Sequence, residues 1–484
     1  MFALLRTYLR YTSWPIVAAM VALLGVGMSA ISVSQQAAGG QGQSVNSQAT
    51  FAAVGLAAFV AAVIVPYPRL GRLAYVLFGA TIILLVGVLF TSPMKGATRW
   101  FNLGLVKLQP SEIAKLTYVL LLAWYLRYGD HYRRLGGLIP PFVLAFIPMG
   151  LILIEPDLGT SLLFLPTLYF MLFMAGAKLR HLLAILAMGM AVILLPAPCR
   201  VSDQTFAEQA PSLLASRLGP ATFYRPDRSK DEGGRPDLPV AYCRVRLGDG
   251  GVYDVQPLSV RMMRGHQMDR IKGWLRQDDS EVAMSEGFQL RWSLVTLAAG
   301  HVAGPPRPNA GDARTGTPLA GGSQVDMFRL ALQQLPHDRT DFIFSVIGGK
   351  WGLLGCLAVL GIYGVVFVFG VEIATVTDDP FGRLLAVGVV GILLSQVFIN
   401  VGMTMGLMPI TGMTLPLVSY GGSSLVVSCA AMGLLVNVGQ RRAVFLSRRP
   451  FEYGRRKDKR AGIESAMGRA VNARPRRPGG GAGG

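Results

Sequence analysis

The stretch Arg383-Leu-Leu-Ala-Val-Gly-Val-Val-Gly-Ile-Leu-Leu-Ser-Gln-Val-Phe-Ile-Asn400-Val-Gly-Met-Thr-Met-Gly406 carries no charge after its first residue. It passes into Leu407-Met-Pro409-Ile-Thr411-Gly412-Met-Thr-Leu-Pro416-Leu-Val-Ser419-Tyr420-Gly421-Gly422-Ser423-Ser424. A bilayer core takes roughly 20 mostly apolar residues per helix, and the first part meets that length. The second part is so dense in Gly, Pro and Ser that helix breaks there. Broken backbone at membrane depth persists only where protein or a wet cavity satisfies its amides. Residues 400–424 are therefore expected to line a site in a membrane protein.

Similar apolar runs occur at about 14–33, 51–67, 70–91, 112–127, 138–155, 159–177, 181–198, 340–373 and 416–439. With 383–406 they predict an all-α polytopic membrane protein of about ten transmembrane helices. Composition agrees: 52% of the 484 residues are hydrophobic and 15% charged, where soluble domains carry about a quarter charged residues. Arg6 and Arg10 precede the first run as in a signal peptide. No small-residue cleavage site follows, and the run reads as a retained anchor.

Lys and Arg stay in cytoplasmic loops, because translocating them is costly. With the N-terminus inside, ten alternating spans leave Arg69, Arg72, Arg127, Arg133, Arg134, Lys178, Arg180 and Arg383 in the cytoplasm, together with the C-terminus. The chain then divides into spans one to seven (1–198), a large extracytoplasmic loop (199–339), spans eight to ten (340–440) and a basic tail (441–484). The tail holds 13 Lys or Arg against 3 Asp or Glu, which supplies +10 of the formal +19. A polybasic segment beside a bilayer attracts anionic membrane lipids. No aromatic-interleaved binding pattern accompanies the charge, so a nucleic-acid partner is not expected.

Cys356 and Cys429 fall in apolar runs and are expected to pack as small hydrophobes. Cys199 and Cys243 fall in the external loop, where disulfides persist, and a bond between them is expected. Around 200–258 the loop alternates as a small β element would, as in Val240-Ala-Tyr-Cys-Arg-Val-Arg. Around 259–300 it has apolar residues at helical spacing, as in Ile271, Trp274 and Leu275, then Leu290, Trp292, Leu294 and Val295.

Four segments expected on the external face concentrate ionisable groups, which lipid makes costly unless paired or solvated. The first is Gly96-Ala-Thr-Arg99-Trp100, continuing to Gln109-Pro110-Ser111-Glu112-Ile-Ala-Lys115. Pro110 and Ser111 start a helix, Glu112 suits its positive end, and Lys115 lies at i+3 to pair with it. The second is Glu155-Pro156-Asp157-Leu158-Gly159-Thr160, where Asp157 can cap a helix. The third, His337-Asp338-Arg339-Thr340-Asp341-Phe342-Ile343-Phe344, again offers caps in Thr340 and Asp341. The fourth is the broken segment with Ser419. Capping alone explains each acid, but not the entry of Lys115 into an apolar run.

Taken together and in order, these segments resemble the signatures of the FtsW/RodA/SpoVE family: Gly-x-x-Arg-Trp with Gln-Pro-Ser-Glu-x-x-Lys, Gln-Pro-Asp-Leu-Gly-Thr, Thr-Asp-Phe-Ile-Phe, and Pro-x-Thr-Gly with Ser-Tyr-Gly-Gly-Ser-Ser. The resemblance covers the membrane part from about residue 90 onward. It implies a peptidoglycan glycosyltransferase that polymerises lipid II in division or elongation and works with a class B penicillin-binding protein supplying the transpeptidase. The implied reaction is attack of a GlcNAc 4-hydroxyl on the MurNAc anomeric carbon, with undecaprenyl pyrophosphate leaving and configuration inverting.

Such a reaction needs a carboxylate base and cations for the leaving group, with a divalent cation such as magnesium as a further possibility. Arg99 and Lys115 are the expected cations; Trp100, Glu112, Asp157, Thr340, Asp341 and Ser419 complete the expected substrate-binding set. The family's acid lies in the large loop, after a Gln-x-x-Arg stretch and before a Gly-aromatic pair. Here Gln267-Met268-Asp269-Arg270 and Gly287-Phe288 frame that position, but the family's Asp-Pro-Leu/Phe-Gly is replaced by Arg276-Gln277-Asp278-Asp279-Ser280-Glu281-Val282. Alignment from the left reaches Ser280 and from the right Val282. Asp279 is the nearest acid and the first choice for the base, with Asp278 and Glu281 beside it.

Three further departures are Glu155 in place of Gln, Gly349-Lys350 where a Glu-Glu often follows Phe-Ile-Phe, and an insertion in the loop. They keep two other readings open: a non-catalytic scaffold that binds lipid II or the transpeptidase, and a lipid II transporter. The five His are scattered, and neither Cys-x-x-Cys nor a phosphate-binding Gly-x-x-x-x-Gly-Lys-Ser/Thr occurs. Zinc and nucleotide chemistry have no support.

Overall fold

The computed structural model describes residues 12–37, 43–91, 99–102, 107–129, 131–155, 157–194, 196–201, 222–224, 243–246, 252–257, 270–271, 273–277, 279, 284–285, 287–304 and 320–441. One compact unit spans Met1–Arg442 and a second Ala443–Gly484. The second, most of the basic tail, lies outside the described residues.

The helices are α1 (Trp14–Ala37), α2 (Gln43–Ile64), the short α3 (Tyr67–Arg72), α4 (Ala74–Val88), α5 (Pro110–Leu126), α6 (Ile139–Ile154), α7 (Leu158–Leu162), α8 (Phe164–Ala175), α9 (Leu179–Leu194), α10 (Phe288–Ala299), α11 (Ala320–Gln334), α12 (Ile343–Val376), α13 (Pro380–Thr404) and α14 (Gly422–Gln440). Each of the ten apolar runs falls mostly on helix, although the run 181–198 ends in a strand and the run 416–439 becomes helical only at Gly422. Among the described residues, seven helical segments are long and apolar enough to cross a membrane, with α7 and α8 counted as one; Ala74–Val88 and Leu179–Ala191 are shorter apolar helices. The chain is a multi-pass membrane protein.

The bundle packs around α13, 83% of whose apolar window is buried inside the protein. Small residues let the helices close up, as expected where lipid removes the hydrophobic drive between them. A Cβ on Gly433 would stand 2.6 Å from the Phe59 carbonyl oxygen, and one on Gly27 2.5 Å from that of Val418. Cys356 and Cys429 are free and buried, as expected of small hydrophobes.

Helix α12 is broken at Gly352, whose φ of 67° is open to glycine. The amides freed there are taken up inside the protein: Leu353 N donates to the His301 carbonyl at 2.9 Å and Leu354 N to that of Val302 at 3.0 Å.

Two antiparallel sheets interrupt the helical pattern. β1 (Phe101–Asn102) pairs with β2 (Lys107–Leu108). A four-stranded sheet has the order β3-β6-β5-β4, from β3 (Pro196–Val201), β4 (Thr222–Tyr224), β5 (Cys243–Arg246) and β6 (Val252–Pro257). This is the β element that the alternation at 200–258 announced. In its register Cys199 pairs with Asp254 and Cys243 with Val255; the side chains of both cysteines, and with them the expected disulfide, lie outside what the structure describes.

Helix α10 answers the helical spacing near 259–300. It buries Leu290, Ser293, Thr296 and Ala299, and Ser293 Oγ meets Ser345 Oγ of α12 at 2.6 Å and the Thr404 carbonyl at 2.8 Å. This part of the 199–339 segment is packed with the spans.

Candidate active site

The site is built on the unwound chain between α13 and α14, residues 405–421. Gly406, Gly412 and Leu417 have φ of 75°, 76° and 65°, a region in which only glycine is relaxed. The segment keeps this shape because side chains from five directions meet its backbone. From α13, Asn400 Nδ2 donates to the Met413 carbonyl at 2.6 Å and Gln396 Nε2 to that of Thr414 at 2.8 Å. From α12, the Tyr363 hydroxyl donates to the Pro416 carbonyl. From α2, Gln48 Nε2 donates to the Ser419 carbonyl at 3.2 Å. Ser419 turns back on its own loop and on the third motif, accepting from Leu415 N at 2.8 Å and donating to the Thr340 carbonyl at 2.6 Å.

The fifth direction is the segment before α10. Arg270 Nη1 donates to the Ile410 carbonyl at 3.3 Å, while Trp274 Nε1 and Gln277 Nε2 reach the Gly406 carbonyl at 2.9 and 3.1 Å. From Ile410 to Ser419 the unwound segment is mostly buried in protein, while Met405 and Leu407 at its start are exposed.

The second motif leans on the same loop. Gly159 lies so close that a Cβ there would meet the Thr411 carbonyl oxygen at 2.7 Å and Met413 Cγ at 2.5 Å. Asp157 caps α7, accepting from Thr160 N at 3.2 Å and Thr160 Oγ1 at 2.9 Å. It also accepts from Gln109 Nε2 of the first motif at 3.1 Å. Gln109 N in turn donates to Ser423 Oγ at 3.2 Å. Arg99 Nε donates to the Glu155 carbonyl at 2.9 Å, and Trp100 beside it is half-buried.

Beneath lies a buried chain. Lys115 Nζ stands 2.8 Å from Glu112 Oε2 and 3.2 Å from Gln396 Oε1, and the two charged residues are each 5% exposed. The chain continues from Gln396 to Thr414, and from Thr414 Oγ1 to Ser424 Oγ at 2.8 Å. Lys115, one of the expected cations, has its ammonium paired with Glu112 and bonded to the residue that holds the loop.

Thr340 and Asp341 do not cap α12, whose first turn follows Phe342 with no side-chain cap. Asp341 instead faces Arg270 near Gly412: a Cβ on Gly412 would be 3.3 Å from Arg270 Nη1 and 3.6 Å from Asp341 Oδ2. Asn400 Nδ2 fixes the Asp341 carbonyl at 2.9 Å. Desolvation raises the Asp341 carboxyl above its ordinary range, against the pull of His337, the Thr340 hydroxyl and Arg270. Arg270 interacts electrostatically with Asp341, Arg99 and Asp157, so the four charges form one cluster.

Two members of that neighbourhood were not among the expected site residues. Arg270 was visible only as a landmark before the acidic stretch. Glu155 was visible only as a departure from the family's Gln. Asp279 is exposed two residues beyond Gln277, with its amide on the Arg276 carbonyl at 3.2 Å; Asp278 and Glu281 lie outside the described residues. Among the described residues no three His, Cys, Asp or Glu side chains converge as a metal site.

The model of the family described as cell cycle protein, which joins FtsW, RodA and SpoVE, matches residues 11–206 and 316–443. The chain belongs to this family. Among its relatives, the peptidoglycan glycosyltransferase RodA of Treponema pallidum is 31% identical over 411 residues, covering 81% of this chain and 89% of that one. The probable peptidoglycan glycosyltransferase FtsW of Bacillus subtilis is 28% identical over 448 residues, 90% of this chain and 92% of that one. Among solved structures, a chain of a peptidoglycan synthase complex that coordinates polymerization and crosslinking has 25% identity and a TM-score of 0.62, covering 90% of this chain and 99% of that one. The matched stretches hold all four FtsW/RodA/SpoVE motifs. Residues 207–315, with the acidic stretch and Arg270, fall between them.

Proposed function

We propose that this bacterial membrane protein is a peptidoglycan glycosyltransferase that polymerises lipid II into glycan strands. The observation that carries the reading is the electrostatic grouping of Arg99, Asp157 and Asp341 with Arg270, which holds the unwound 405–421 segment at Ile410, in a chain of a family whose relatives bear that activity in their names.

Two guanidiniums in one cluster suit a diphosphate, which they bind and whose charge they stabilise as it leaves. A carboxylate accepts the proton of the GlcNAc 4-hydroxyl as its oxygen bonds to the anomeric carbon and the carbon–oxygen bond to the diphosphate breaks. Asp279 is the proposed base, with Asp278 and Glu281 as its neighbours; Arg270, Trp274 and Gln277 fasten the segment that carries it over the loop. Trp100 flanks the cations. Glu112, Lys115, Thr340 and Ser419 act by holding the loop in shape.

The charge pattern of the short loops supports an orientation with both termini in the cytoplasm and the site on the outer face. Membrane lipids and a class B penicillin-binding protein transpeptidase are the proposed partners. The chain purified with that transpeptidase and supplied with labelled lipid II should give glycan polymer on a gel. Loss of polymer in Asp279→Ala, or in the triple variant with Asp278→Ala and Glu281→Ala, supports the assignment of the base; full activity in the triple variant removes it.

The gap in the family match over the acidic stretch favours one second reading, a scaffold that binds lipid II and the transpeptidase without polymerising. Lipid II binding with no polymer from the wild-type complex would select it.

A further inference from the structure

Glu155 is fully buried, and neither carboxylate oxygen has a hydrogen-bond partner among the described residues. A buried ionised carboxylate without partners is very costly, whereas the protonated acid costs far less. Its surroundings belong to the charge cluster: its own carbonyl holds Arg99 Nε at 2.9 Å, and Asp157, two residues on, has its acceptors taken up by Thr160 and Gln109.

We propose that Glu155 is a proton-linked affinity residue of the diphosphate site: it holds a proton while an anion occupies the cations around Arg99, and on ionising it expels that anion. This rests on the reading of the site as a lipid-diphosphate site. Burial, then the charge of Asp157, push the Glu155 carboxyl up to about 8, with Arg99 opposing them. Arg270, Asp341 and His337 are the next charged or titratable groups, linked through Asp157 and Asp341. The helices packed against α6 carry Glu112 and Lys115, joined to each other, and Tyr75, Tyr118, Tyr125 and Tyr169.

Below that range the neutral acid leaves two guanidiniums facing Asp157 and Asp341. Above it a third carboxylate joins them, and an incoming diphosphate meets repulsion. The sign is fixed: an anion that binds better to the protonated form raises the affinity of Glu155 for its proton, so binding takes up protons at alkaline pH. Gln keeps the shape and polarity without the charge.

The test is steady-state polymerisation of lipid II by the complex with its transpeptidase, from pH 7 to pH 9, for wild type and Glu155→Gln. Wild-type KM should rise about tenfold across this range, with kcat moving much less, and Glu155→Gln should hold the pH 7 value throughout. Lipid II binding to the wild type in detergent, followed by calorimetry in two buffers of different ionisation enthalpy at pH 8.5, should show uptake of about one proton. This second measurement needs no variant. A wild-type KM that is flat in pH, a Gln variant that keeps the rise, or binding without proton uptake overturns the proposal while leaving the polymerase reading intact. If the wild type neither polymerises nor binds lipid II at any pH, the reading of the site itself falls.

Discussion

Gln109 Nε2 donates to Asp157 Oδ2 at 3.1 Å, joining residues 48 positions apart in sequence. The contact ties the start of α5 to the cap of α7, and through Gln109 N and Ser423 Oγ it reaches the first turn of α14. Three motifs that read in sequence as separate helix starts are one hydrogen-bonded assembly.

Asp157→Ala should therefore do more than lose a cap. It removes the acceptor of three hydrogen bonds, at about 1 to 3 kcal/mol for each partner left buried and unsatisfied. The expected outcome is a lower melting temperature in detergent together with loss of polymer. Gln109→Ala removes one of the three bonds and should show a smaller drop in both.

Lys115 and Glu112 are a buried ion pair, and removing one partner leaves the other charged in a dry site. Lys115→Met should cost about 3 to 5 kcal/mol, and adding Glu112→Gln should recover much of it. Thermal unfolding of the two singles and the double variant measures this as a coupling energy; additive effects would contradict the pairing.

Gly412 supplies a left-handed backbone beside Arg270 and Asp341. Gly412→Ala should cost about 1 to 2 kcal/mol in backbone strain and displace the Arg270 guanidinium, which the new Cβ approaches at 3.3 Å. Polymerisation should fall far more than the melting temperature does. Equal and small effects would mean that the loop relaxes around the methyl group.

The carboxyl of Glu155, raised to about 8 in the folded chain, makes stability depend on pH. An unfolded Glu titrates near 4.3, so between there and about 8 the native state binds more protons than the unfolded one, and stability falls as pH rises. Glu155→Gln removes this slope. Its melting temperature should gain on the wild type from pH 5 to 8 and hold a constant lead above; a constant difference across the whole range would place the Glu155 proton elsewhere.

Most of the fold was legible because lipid imposes length and apolarity on each span, and all ten runs fall mostly on helix. The break in α12 at Gly352 was not legible, since its amides are satisfied by the carbonyls of His301 and Val302, some 50 residues away in sequence. Among the site residues, Asp157, Asp341 and Arg99 could be picked out because charge at a span's end is conspicuous. Gln396 and Asn400 were overlooked for the opposite reason: a neutral amide inside an apolar run carries no signal until the carbonyls it holds are in view. Arg270 was missed because its partners, Ile410 and Asp341, are supplied by loops 140 and 71 residues later.

The most direct measurement is polymerisation of fluorescent lipid II by the purified chain in complex with its transpeptidase, with wild type and Arg99→Ala run side by side on one gel. The account predicts a ladder of glycan strands from wild type and none from Arg99→Ala, at similar melting temperatures. Lipid II bound by the wild type but never lengthened, or a ladder undiminished in Arg99→Ala, would contradict it.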